Sequence, residues 1–189
     1  DFGELLELLA QGNPNRRMRY FGELRAEGIT PATAGLLAKA HFTEVEVGLQ
    51  AIDPKVQELM RRRNNLTAFE RGVRAMLDAG IQVKVDLIIG LPGDSADSIR
   101  RSVHYLAETH LYSTVQVFNL SILPGTAFRQ EAEQLGLVYQ QSPPYYVLRT
   151  PTLDLPTMVD LMEEAQEVLG FEWDLPPEPA AEGHWQSGK

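Results

Sequence analysis

Two runs of this chain alternate apolar and polar residues without a break, yet helix-length connections separate them from their neighbours. In Thr43 to Gln50, Val45, Val47 and Leu49 fall on one side, and Glu44, Glu46, Gly48 and Gln50 on the other. In Gln82 to Gly90, Val83, Val85, Leu87 and Ile89 oppose Gln82, Lys84 and Asp86. Strands joined by helices are parallel, and a parallel strand covered on both faces reads as continuous Val, Ile and Leu. An antiparallel sheet with one wet face would explain the alternation, but not the long connections. Both features fit if helices cover one face and the other lines a hollow, as in a barrel. Charges buried there unpaired would cost several kcal/mol each, so they pair with one another or with a ligand. A satisfied ionic network of Glu46, Lys84 and Asp86 is the plainer of those two readings.

The remaining pattern extends the series. Leu5, Leu6, Leu8 and Leu9 place a helix over Phe2 to Ala10, stopping at Gly12-Asn13-Pro14. Arg19 to Arg25 reads as a strand, with Glu23 and Arg25 on its polar side. Thr30-Pro31 caps a helix to Lys39, and Asp53-Pro54 opens one to about Arg62. Helices follow from Thr67 to Ala79, Ser95 to Thr109 and Ala127 to Leu135, with a strand at Thr114 to Ile122 that contributes Gln116 inward. The expected fold is α/β: a partial TIM-like (βα) barrel of about four parallel strands with outer helices over residues 1–140. A C-terminal extension over 141–171 carries a lone amphipathic helix at about Leu155 to Leu169. Residues 172–189 read as a Pro-rich acidic tail, extended or poorly ordered.

Composition narrows the chemistry. The 189 residues are 43% apolar, enough for one core, and no run approaches the ~18–20 apolar residues of a membrane span. A cytoplasmic protein is expected. The formal charge of −9 repels phosphodiester backbones, so a nucleic-acid partner is not expected despite Arg61, Arg62 and Arg63. With no cysteine and four scattered histidines, the chain offers no thiolate ligand, thiol nucleophile or paired zinc ligands.

Three segments at strand ends carry sharper signals: GLQAIDPKVQELMRRRNNLTAF at 48–69, DLIIGLPGDS at 86–95 and NLSILPGT at 119–126. Ligands of α/β barrels bind at the C-terminal ends of the strands, where these loops lie. In this order, and with FGELR at 21–25 and PPYYVLRT at 143–150, the segments resemble the radical S-adenosylmethionine (radical SAM) superfamily. The resemblance is greatest to its group with an associated cobalamin-binding domain, the anaerobic Mg-protoporphyrin IX monomethyl ester oxidative cyclases and B12-dependent methyltransferases. It covers roughly residues 1–150 and the downstream part of the barrel, strands three to six of six.

That resemblance implies an enzyme that reductively cleaves S-adenosylmethionine to a 5'-deoxyadenosyl radical, with an oxidative cyclase-like reaction as its specific form. It implies SAM as cofactor, with a [4Fe-4S] cluster and cobalamin belonging to the parent protein only, and a small-molecule substrate, a tetrapyrrole among the candidates. It also assigns roles. Gly90 and Pro92, with Gly93, form a side-chain-poor turn that lets the backbone approach adenine, with Ile88 and Ile89 as an apolar wall. Ser121, Leu123 and Gly125 form a second wall. Gln50 bonds a ribose hydroxyl or the amino-acid part of SAM, Arg62 clamps its carboxylate, and Glu23 faces SAM or substrate. Capping and turn formation alone would equally explain GLPGDS and Pro124-Gly125-Thr126, and a solvated helix end would explain Arg61 to Arg63.

The departure from the family pattern is the missing CxxxCxxC triplet and Gly-Gly-Glu-like strand end, expected upstream of Asp1 in the parent protein. The isolated chain is therefore expected not to turn over. Its first strand would expose an edge, favouring a homodimer or capping by the N-terminal helix or the tail. A tRNA-modifying radical SAM enzyme and a non-catalytic barrel-type binding module stay open as other readings.

Overall fold

The computed structural model describes residues 1–176, and the remainder of the expected tail, with His184, lies outside the described residues. In chain order the elements are α1 (Phe2–Gly12), β1 (Tyr20–Leu24), a 3-10 turn (Ala26–Gly28), α2 (Pro31–Ala40), β2 (Phe42–Gln50), α3 (Pro54–Leu59) and α4 (Leu66–Asp78). Then come β3 (Gln82–Ile89), α5 (Ala96–Thr109), β4 (Thr114–Asn119), α6 (Ala127–Glu131), β5 (Val138–Tyr139), β6 (Val147–Arg149) and α7 (Leu155–Leu169).

Strands β1 to β4 pair in parallel and in sequence order, the arrangement that helix-length crossovers dictate. The helices start where side-chain oxygens can take the free amides of the first turn. Thr30, Asp53, Asn65 and Ser95 each accept from backbone N–H groups two or three residues on. Helices α2, α4, α5 and α7 pack on one face of the sheet. There Val45, Val47, Leu49, Val83, Val85, Leu87, Ile89, Val115 and Val117 are buried with Leu37, Phe69, Met76, Leu106 and Met158. At about 1.5–3 kcal/mol for each fully buried aliphatic or aromatic side chain, this layer is the main source of stability.

The polar half of the alternation lies on the opposite, concave face, in rows fixed by the register. Glu23, Glu46, Lys84 and Thr114 form one row, and Gly48, Asp86 and Gln116 the next toward the C-terminal ends. Ile88 and Phe118 form a third.

Five elements differ from the sequence expectation. Helix α3 ends at Leu59, because Arg61 takes a left-handed φ of 55° and Arg62 and Asn64 fold back to bond carbonyls at the end of β2. Strand β4 ends at Asn119. Beyond it Ser121 bridges Tyr146, and Ile122 N–H donates to Tyr145 O at 2.8 Å, so the strand's continuation takes an antiparallel partner. The chain directly after the Pro-rich stretch forms β6, which pairs with β5. Helix α6 stops at Glu131 and gives way to turns before Gly136. The tail begins docked rather than extended: Trp173 is buried, and Gln166 Nε2 donates to its carbonyl at 2.8 Å.

Among the described residues, β1 pairs with β2 alone. Helix α1 packs against α2 and does not cap that edge, leaving Phe21 on β1 and Leu5 and Leu8 on α1 exposed. No helix among the described residues is long and apolar enough to cross a membrane.

Candidate SAM-binding rim

Because the four strands are parallel, their C-terminal ends share one rim, and Gln50, the Gly90 turn and the Asn119 to Gly125 segment all lie there. At β2 the rim is built around a bulge. The register with β3 shifts between Gly48 and Gln50, and Gln50 adopts a φ of 66°, unusual for a residue with a side chain. Its amide lies over Gly48: a Cβ on that glycine would stand 3.3 Å from Gln50 Nε2.

Arg62 closes the same corner. Its Nη2 donates to the Gly48 carbonyl and its Nε to Asn64 Oδ1 at 2.9 Å. Asn64 Nδ2 in turn donates to Leu49 O at 2.7 Å and Ala51 O at 3.3 Å. These bonds fix the guanidinium beside Glu23 and Glu27 and leave part of its five-donor fork unspent. Burial and the neighbouring Arg25 lower the Arg62 pKa from its ordinary value.

The GLPGDS turn is held from within. Asp94 is buried, accepting from Leu91 N–H at 3.1 Å and Ser98 Oγ at 3.1 Å. Burial outweighs these bonds and pushes its carboxyl up to about 7. Ser95 caps α5, so the GLPGDS segment does serve as a helix cap. Gly90 has a φ of 87°, but the space beside it is filled: a Cβ there would lie 2.8 Å from Met158 Sδ and 3.3 Å from Asn119 Oδ1. Packing of α7 accounts for this glycine, and Pro92 is likewise buried. Gly125, with a φ of 84°, has open space on its side-chain face, and Leu123 beside it is exposed.

Ile88 and Ile89 do not share a wall. Successive strand residues face opposite ways, so Ile88 stands on the concave face while Ile89 is buried under the helices. Below the rim, Lys84 Nζ donates to Glu46 Oε2 at 3.3 Å and lies 5.8 Å from the centre of the Phe118 ring. Asp86 is buried with Oδ1 lacking any hydrogen-bond partner among the described residues. Burial and the hydrogen-bonded Glu46 carboxylate push its pKa up to about 8. The expected network is thus real but incomplete.

The sequence reading missed Asn64, Asp94, Asn119 and Phe118. Only Phe118 had a signal, standing two residues after Gln116 on the same strand face.

Residues 1–106, more than half of the 189, match the Radical SAM superfamily. The chain belongs to the radical SAM superfamily. Over 85 residues it is 29% identical to the oxygen-independent coproporphyrinogen III oxidase of Paracoccus denitrificans, covering 44% of this chain and 19% of that enzyme. Over 113 residues it is 26% identical to the heme chaperone HemW of Mycobacterium tuberculosis, covering 59% of this chain and 29% of that protein.

Two solved structures share the fold. One is the radical SAM methyltransferase TsrM of Kitasatospora setae with cobalamin and a [4Fe-4S] cluster bound, with a TM-score of 0.65 at 21% identity, covering 79% of this chain and 32% of that one. The other is coproporphyrinogen III oxidase HemN of Escherichia coli, with a TM-score of 0.65 at 19% identity, covering 90% of this chain and 37% of that one. This radical SAM chain thus spans about a fifth to a third of the curated relatives it matches.

Family membership implies SAM and a [4Fe-4S] cluster. Without a cysteine, these 189 residues do not fit the cluster, and its thiolates are not theirs to give. They do fit SAM: the bulged rim presents an arginine fork, an amide and the open Gly125 turn at one end of the sheet.

Proposed function

We propose that the rim formed by Gln50, Arg62, Ile88, Ser121, Leu123 and Gly125 is a SAM-binding wall of a radical SAM enzyme, with the turn at Gly90 and Pro92 as its rigid backing and Glu23 facing the ligand. The observation that supports it most is the Gly48 to Gln50 bulge. A left-handed Gln50 and a carbonyl-anchored Arg62 hold two complementary groups at one strand end, where an ordinary strand would present neither. In this reading Arg62 takes the SAM carboxylate and Gln50 a ribose hydroxyl or the amino-acid amine.

Titration calorimetry tests it directly. SAM should bind the chain, Arg62→Ala should weaken it about tenfold and Gln50→Ala by a smaller factor, in line with a lost charge-assisted and a lost neutral hydrogen bond. Saturable SAM binding that ignores both substitutions would place the ligand elsewhere.

Because cluster ligands are absent, the chain with dithionite and SAM should form no 5'-deoxyadenosine above a protein-free control; formation above it would show that SAM cleavage does not depend on such ligands. A tetrapyrrole substrate is the reading that the two relatives named for coproporphyrinogen and heme favour, and cobalamin in the parent enzyme is the one that TsrM favours. A cyclase-like outcome rests on the sequence resemblance alone. The open β1 edge supports self-association, so sedimentation should show a dimer that Phe21→Lys, a charge placed on that edge strand, converts to monomer. A wild-type monomer would refute that part.

A further inference from the structure

The concave face below the rim carries an acidic floor with an unfinished hydrogen bond. Glu23, Glu46 and Asp86 come from three adjacent strands, and the register sets Glu23, Glu46 and Lys84 in one row with Asp86 in the next. Lys84 is the cation among them and is already committed, to Glu46 and to the Phe118 ring. Arg62, above, bonds Gly48 O and Asn64 Oδ1, and its charge lies beside Glu23. Thr114 and Gln116 of β4 complete the two rows without charge. Asp86 is 7% exposed, and its Oδ1 accepts from nothing among the described residues, an unmet demand in a buried carboxyl. The Gln50 amide lies over Gly48, the register neighbour of Asp86. Exposed rings at Phe118 and Phe21 stand on the same face at its two ends.

We propose that this floor binds a cationic nitrogen group of the substrate, an ammonium or amidinium carried on an apolar body, with Asp86 Oδ1 as its buried acceptor and Glu46 and Glu23 as flanking charges. The inference deepens the reading of the concave face as a ligand cavity and rests on it. The chemistry follows from the pairing: Lys84 engages Glu46, Arg62 lies beside Glu23, and the carboxyl left without a cation of its own is Asp86, whose orphan Oδ1 accepts from a donor brought by the ligand. An anion would bring no donor to Oδ1 and would face the Glu46 carboxylate, and a neutral apolar group would leave Oδ1 unpaired. With its carboxyl raised to about 8, Asp86 holds a proton at neutral pH, so a bound cation displaces that proton.

Two small probes of equal shape and opposite charge, 2-phenylethylammonium and phenylacetate, are titrated calorimetrically into the chain at about pH 7, in two buffers of different ionisation enthalpy. The ammonium should bind with release of up to about one proton per ligand, and phenylacetate should not bind. Asp86→Asn should abolish the proton release and weaken the ammonium about tenfold. Glu23→Gln, a change on an exposed position of β1, should weaken it by a smaller factor, which keeps the test meaningful if Asp86→Asn misfolds. Equal binding of both probes, no proton release, or unchanged affinity in both variants would overturn the proposal. SAM titrated into the same preparations reads the rim separately: SAM binding without ammonium binding removes the floor alone, and the reverse removes the rim reading.

Discussion

Replacing Gly72 with alanine should destabilise the protein by about 3 kcal/mol or more, while the same replacement at Gly35 should stabilise it by about 0.5–1 kcal/mol. Both glycines sit inside helices, where alanine is the better helix former. The difference is tertiary. A Cβ on Gly72 would lie 1.9 Å from the carbonyl oxygen of Ala26 and 2.7 Å from its carbon, both backbone atoms that cannot swing aside. Helix α4 must rise off the 3-10 turn, and the turn leads from β1, which carries Glu23, toward α2. At Gly35 a Cβ meets nothing within 4 Å. Urea unfolding monitored by circular dichroism should show opposite shifts in midpoint for the two variants. A tolerated Gly72→Ala would mean that α4 and the 3-10 turn are farther apart than described.

What the sequence made legible was the part governed by period. Alternation at Val45 to Gln50 and Val83 to Ile89, with helix-length gaps, leads to a parallel sheet with one apolar and one polar face, and the rows Glu23-Glu46-Lys84 and Gly48-Asp86 follow from strand geometry. Helix starts at Thr30, Asp53 and Ser95 were equally legible, because a cap is a local device.

The parts that stayed hidden depend on neighbours distant in the chain. The two-residue and three-residue strands β5 and β6 carry too few residues to show a period, and only their antiparallel pairing, Val138 with Arg149 and Tyr139 with Val147, defines them. Gly90 reads as a glycine needed for a turn, and nothing near it announces that Met158, on α7, fills the space beside it. Asp94 looks like any acidic residue before a helix, yet the fold buries it under the turn it organises. Arg62 was found through its resemblance to a family pattern. Its true support, a bond to Gly48 O made possible by Asn64 folding back onto β2, is a three-dimensional fact.

Asp86→Asn should raise stability at about pH 8 by about 2 kcal/mol and flatten its dependence on pH. In the folded chain the Asp86 carboxyl titrates at about 8 against an ordinary value of 3.8, with burial and then Glu46 as the causes and Lys84 opposing them. Between those values the native state binds more protons than the unfolded chain, so stability falls as pH rises through that window. The contribution is whole below about pH 4 and gone above about pH 8. Asparagine keeps the shape, removes the charge, and supplies a donor that the Glu46 carboxylate can use. Urea midpoints at about pH 5 and about pH 8 should therefore differ less in the variant than in the wild type, and the curves should diverge most on the alkaline side. A variant less stable than wild type at the higher pH would mean that ionised Asp86 is satisfied in the fold, and the orphaned Oδ1 would lose its meaning. A carboxyl whose removal strengthens the fold does not serve stability, which agrees with the proposed role of Asp86 as acceptor for a cationic ligand.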